Sequence, residues 1–138
     1  MRGTRSLIFG IGTDLVRISR MEDNLLRYGD KFAARILAEN ELHEFHNAPR
    51  KAHFLAKRFA AKEAAAKAMG TGFAAGLNLR HIGVGHNEQG KPLLEFYGKG
   101  DELCREKGIG ASFLSITDEG DYALAFVTLL VAPTKQNP

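Results

Sequence analysis

One cysteine, four prolines and no tryptophan stand in 138 residues. A lone thiol, Cys104, permits no internal disulfide and no cysteine-rich metal site. That usage fits a reducing compartment, and a cytoplasmic location is the expectation. No stretch approaches the roughly 18 consecutive apolar residues of a membrane-spanning helix. The start, MRGTRSLIFGIGTD, lacks the longer apolar segment and small-residue cleavage site of a secretory signal. Missing too are a GxSxG elbow, a phosphate-binding P-loop and an HExxH helix, which removes the chemistries those motifs carry. Charge of one sign is scarce: 19 basic against 16 acidic residues leave a formal +3. So mild an excess suits an anionic ligand or an acidic partner without demanding either.

What is present is 44% hydrophobic and 25% charged, the balance of a soluble globular chain. The length suits a single domain over residues 1–138, with 133–138 as a frayed tail. Leu7 to Val16 reads as a strand. Ser19 to Gly29 reads as a helix with Ser19 as its N-cap and Gly29 as its terminator. A second helical pattern spans Asp30 to Asn47 with a break near Asn40, and a long helix runs from Arg50 to Met69, stopped by Gly70 and Gly72. The period then changes. Leu79 to Gly98 alternates about a Gln89-Gly90 turn, a short helix follows around Cys104, and a second hairpin turns at Asp118 to Asp121. The order predicts an α+β fold, a mainly antiparallel sheet packed on a long alanine-rich helix.

Two places invite chemistry. Along the first strand, Gly10 and Gly12 share a face with Asp14, leaving room beside its carboxylate for another backbone, a helix or a ligand. Close packing on an alanine-rich helix accounts for this without any function. The helix carrying FLAKRFAAKEAAAKAMG is stranger. At about 100° per residue, Arg58 and Lys62 fall among Phe54, Leu55, Phe59 and Met69, while most alanines occupy the opposite arc. Such cations must snorkel, pair or meet an anion. Glu63 and Lys67 have the favourable i, i+4 order of an ordinary helical pair, which explains Glu63 but not Arg58 and Lys62. Cations, one carboxylate and the following Gly70-Thr71-Gly72 together read as a phosphate site with a metal. Asp14 and Glu63 supply the two carboxylates that Mg²⁺ usually takes from a protein, its other positions going to water and phosphate. His43 and His46 read as a solvated helix face, and Cys104 as filler rather than nucleophile. Without a protein nucleophile, phosphoryl-type transfer remains open, since positioning and charge neutralisation supply most of its catalysis.

The segments GIGTDLVRISRME, RFAAKEAAAKAMGTG, GKP and SFLSITDEGDYALAFV, in this order, resemble holo-[acyl-carrier-protein] synthase, the small bacterial type of 4′-phosphopantetheinyl transferase. The likeness covers essentially the whole chain. It implies an enzyme that moves the 4′-phosphopantetheine arm of coenzyme A to a serine of apo-acyl carrier protein, with Mg²⁺, releasing adenosine 3′,5′-bisphosphate for fatty acid biosynthesis. By position it implies Asp14 and Glu63 as metal ligands, and Arg58, Lys62 and Lys67 around the coenzyme A phosphates. It also implies Gly70, Thr71 and Gly72 near the nucleotide, Arg20 against the acidic carrier protein, and a homotrimer with sites between subunits. Arg27, seven positions after Arg20 and on the same helix face, joins it as a docking residue. The chain departs from the resemblance at Arg17, where many relatives are acidic, and at Phe113, where many have histidine. The proton acceptor is Glu63 or a metal-bound water.

Two other readings of the residues stand beside this one. A small basic module binding nucleic acid or a nucleotide would lose affinity steeply with salt and ignore Mg²⁺ and coenzyme A. It would also need an aromatic platform or base-reading motif, which the sequence does not show, so no nucleic-acid partner is expected. A Mg²⁺-dependent hydrolase of coenzyme A or nucleotides would need no carrier protein.

Overall fold

The computed structural model describes residues 7–134. Strand β1 (Ile8–Arg17) runs without a loop into helix α1 (Ile18–Tyr28), followed by α2 (Asp30–Ile36), α3 (Glu39–Asn47) and the long α4 (Lys51–Met69). A 3₁₀ turn (Leu79–His81) leads into the hairpin β2 (Ile82–His86) and β3 (Pro92–Phe96). Helix α5 (Lys99–Lys107) and the hairpin β4 (Ile109–Glu119) and β5 (Tyr122–Val131) complete the α+β order. No helix among the described residues is long and apolar enough to cross a membrane.

Two antiparallel sheets stand where one was expected. One has the order β1-β5-β4; the other is the β2-β3 hairpin alone. The first and last strands are therefore neighbours, Asp14 lying opposite Ala125 and Gly12 opposite Val127. Along β5, Ala123, Ala125, Val127 and Leu129 turn inward and are fully buried, as strand alternation requires.

Against that inner face lies α4. Its Ala60, Ala61, Ala64 and Ala65 are fully buried. The approach is backbone to backbone: a Cβ built on Gly10 would sit 2.0 Å from the Ala68 carbonyl oxygen, and one on Gly12 would sit 2.1 Å from that of Ala64. The room beside Asp14 is thus taken by a helix. Gly12→Ala must push strand and helix apart, and overpacking of this kind costs about 1–3 kcal/mol. A melting temperature several degrees below wild type is the expected result, and an unchanged one would contradict this packing.

The Asp30–Asn47 pattern breaks at Leu37 and Ala38, earlier than expected, where both residues take extended backbone. Glu41 explains the break: its Oε1 accepts the Ala38 N–H at 2.9 Å and caps α3 from inside. The end of α4 is as read, with Gly70 left-handed at φ 82° and the Gly72 N–H reaching back to the Ala66 carbonyl oxygen. Residues 79–81 form a 3₁₀ turn rather than strand, because the Asn78 side chain accepts the Arg80 N–H and folds the chain locally. Burial, with help from Asp101, pushes the Cys104 thiol up to about 11, in keeping with a filler residue.

Helix α1 corrects a local inference. Arg17, not Ser19, holds the N-cap position and offers no side-chain bond. The cap comes from the distant β4–β5 turn: Asp121 accepts the Ser19 N–H at 2.9 Å and the Ser19 hydroxyl at 2.7 Å, and its carbonyl takes the Ile18 N–H. Arg17 adds a bond to the Tyr122 hydroxyl. Asp121→Ala is expected to remove about 0.5–2 kcal/mol. A shift in urea midpoint would show it, and Ser19→Ala, which keeps the N–H bond, should lose less.

Candidate active site

Asp14 sits on the helix-facing side of β1, its side chain 16% exposed. Lys67, from the last turn of α4, reaches across to it: Nζ is 3.1 Å from Asp14 Oδ1 and 2.9 Å from the Thr13 carbonyl oxygen. Lys67 therefore bonds the strand, not Glu63 one turn earlier on its own helix. Burial first, then the Asp14 charge, raises the Glu63 pKa, while Lys67 and Arg20 pull it the other way. Elements β1, α1 and α4 thus bring Asp14, Arg20, Glu63 and Lys67 into one electrostatic neighbourhood. A carboxylate whose ionisation is opposed by burial and by a neighbouring carboxylate is one that a divalent cation could relieve. Among the described residues no cluster of three or more His, Cys, Asp or Glu side chains could hold a metal. Asp14 and Glu63 are the two side chains here that could supply oxygen donors to such an ion.

Lys62 requires a correction. Expected to face a coenzyme A phosphate, it is fully buried and its ammonium is already satisfied. Nζ lies 2.6 Å from Glu41 Oε1 and 3.1 Å from the Leu79 carbonyl oxygen, and it also donates to the Ile82 carbonyl oxygen. Burial pulls its pKa down while Glu41 pulls it back up. Arg58, 4% exposed, gives Nη1 to Glu41 and Nη2 to Glu44, each at 3.1 Å, with its guanidinium carbon 4.4 Å from the centre of the Phe54 ring. Of the fates open to these cations, pairing accounts for Lys62 and the inner edge of Arg58. Glu41 escaped the sequence reading. Its signal was position: an acid one helical turn before Phe45, on the buried face of α3.

The remaining predicted residues lie at the surface or close to it. Gly70 and Gly72 have positive φ and open space where a Cβ would stand. Between them, the Thr71 hydroxyl oxygen is buried with no hydrogen-bond partner among the described residues. Arg20 and Arg27 are exposed on α1, with Arg27 over the Tyr28 ring. His46 is 4.0 Å from Asp30, on the solvated face expected of it.

With this geometry in view, comparison with known proteins gives one answer. The model of the 4′-phosphopantetheinyl transferase superfamily matches residues 10–127. The holo-[acyl-carrier-protein] synthase of Nitrosococcus oceani is 57% identical over 124 residues, covering 90% of this chain and 80% of that protein. The crystal structure of the Neisseria meningitidis synthase superposes with a TM-score of 0.84 at 45% identity, over 88% of this chain and 98% of that one. The Bacillus anthracis synthase, solved in complex with CoA (3′,5′-ADP), gives 0.76 at 35% identity, over 92% of this chain and 100% of that one. The chain therefore belongs to the holo-[acyl-carrier-protein] synthases of the 4′-phosphopantetheinyl transferase superfamily, and it is an enzyme of that class.

Proposed function

We propose that the chain transfers the 4′-phosphopantetheine arm of coenzyme A to a serine of an apo-acyl carrier protein, releases adenosine 3′,5′-bisphosphate, and so serves fatty acid biosynthesis in the cytoplasm. The observation that carries this reading is the Asp14–Glu63 pair, two carboxylates from different elements, the Asp14 charge raising the Glu63 pKa, with Lys67 and Arg20 beside them. Asp14 and Glu63 would hold Mg²⁺, which when bound neutralises the pyrophosphate and the charge that grows on the leaving group. Lys67 fixes Asp14 and presents a half-exposed ammonium to a phosphate. The Gly70-Thr71-Gly72 turn offers open backbone to the nucleotide. Arg58 presents only its outer edge to the ligand. The bases of the cluster are its two carboxylates, and Glu63, made more basic by burial and by Asp14, is assigned the serine proton, taken directly or through water.

Arg20 and Arg27 are the docking cations for the acidic carrier protein, steering its approach in a salt-dependent way. The outer face of the three-stranded sheet supports a homotrimer. Ile11, Leu15, Phe113, Leu124 and Phe126 point away from α4 and are exposed, a continuous apolar surface of the kind that copies of a chain cover. Mass spectrometry of an apo-carrier protein incubated with the chain, coenzyme A and Mg²⁺ tests the reaction. The carrier should gain one phosphopantetheine arm. Release of the arm without carrier modification would establish a hydrolase instead.

A further inference from the structure

Away from the carboxylate pair, a cleft of about 330 Å³ opens between the α3–α4 connection, the first turns of α4 and the end of β2. Its polar lining holds three cations, Arg50, Lys57 and Arg58, with His53 and His86 beside them and Glu44 as the acid among them. Lys57 is partly engaged, 3.5 Å from Asp118. Arg58 is shared between two unlike carboxylates. Glu41 is fully buried and accepts the Ala38 and Val84 N–H groups and Lys62 as well, so it cannot leave. Glu44 has a side chain 48% exposed, and Arg58 is its one polar partner among the described residues. One edge of the guanidinium is built into the protein; the other is closed by an acid that water can replace.

We propose that Glu44 is a resident anion that a ligand phosphate displaces, and that it thereby sets how tightly this cleft holds a phosphate-bearing ligand. The inference rests on the reading above, in which that ligand is coenzyme A. Its logic is charge balance. Glu41 is divided between Lys62 and Arg58, so two buried cations share one buried acid, and Glu44 supplies the missing negative charge from the surface. A phosphate at the same edge would make the bidentate contact that a guanidinium favours. Every binding event then carries the cost of moving Glu44 aside.

Titration calorimetry with coenzyme A on wild type, Glu44→Gln and Glu44→Asp tests this. Glu44 lies on the exposed side of α3, and circular dichroism spectra should match throughout. Glu44→Gln should lower the Kd about two- to five-fold, the range of a part-exposed ion pair. Glu44→Asp, which keeps the charge on a shorter reach, should fall between. The gain should shrink as salt rises. An unchanged or higher Kd for Glu44→Gln overturns the proposal while wild type still binds coenzyme A and modifies the carrier. Failure of wild type to bind coenzyme A or modify the carrier would instead overturn the coenzyme A reading, and with it the ligand assigned to this cleft.

Discussion

Glu63→Gln should abolish arm transfer and at the same time raise the melting temperature of the metal-free protein. The two effects have one cause. Burial and the Asp14 charge lift the Glu63 pKa above its ordinary value, so the folded chain holds that proton to higher pH than the unfolded chain. Through the window from the ordinary carboxylate pKa up to the raised one, stability falls as pH rises. Above it the whole penalty is present. An uncharged isostere removes the penalty and the ligand together. Asp14→Asn should also lose transfer, by more than about 100-fold as for a lost metal contact, but without the gain in stability, because Lys67 loses its partner. Mg²⁺ should raise the melting temperature of wild type and of neither variant. Melting with and without Mg²⁺, alongside carrier modification, separates the cases. Transfer surviving in Glu63→Gln, or a lower melting temperature without metal, would contradict this account.

The sequence pointed to the candidate site through its anomalies more than its patterns. Gly10, Gly12 and Asp14 on one strand face left room for another backbone, a helix or a ligand, and the alanines opposite cations on one helix made it plausible that the strand packs there, with Asp14 and Glu63 close enough at the seam to share an ion. Lys67 bonding Asp14, and Asp14 opposing Glu63, are how that seam is built. Local rules failed where a partner is distant along the chain. Asp121 caps a helix about a hundred residues earlier, and no capping rule read from Ser19 and its neighbours can find it. The separate β2-β3 sheet escaped for a similar reason: a hairpin signal fixes which strands pair, not what its outer edges meet. Glu41 was hidden by a prior. Acids on helices are usually solvated, and only the unexplained positions of Arg58 and Lys62 called for an anion there.

That anion is where a single substitution should do most harm. Glu41 binds the Ala38 and Val84 N–H groups, Arg58 and Lys62, joining α3, α4 and β2 at one fully buried carboxylate. Removing one partner of a buried charge cluster costs about 3–5 kcal/mol, a large share of the roughly 5–15 kcal/mol by which domains are stable. Glu41→Ala is expected to be largely unfolded at 37 °C. Glu41→Gln keeps one acceptor but leaves two cations without their shared charge. Burial already pulls the Lys62 pKa down, with Glu41 the chief opposing influence, so losing Glu41 should lower it further. A lysine whose folded pKa lies below its unfolded value holds fewer protons in the folded chain. Stability therefore rises with pH between the two values, and Glu41→Gln should regain urea resistance from neutral pH toward about pH 10 more steeply than wild type. Pairing Glu41→Gln with Lys62→Met should restore much of the loss at neutral pH, because Arg58 then keeps Glu44 and no buried ammonium is left unpaired. Urea midpoints of the three proteins across that pH range decide it: parallel curves would mean that the Glu41 carboxylate is not what keeps Lys62 charged inside the fold.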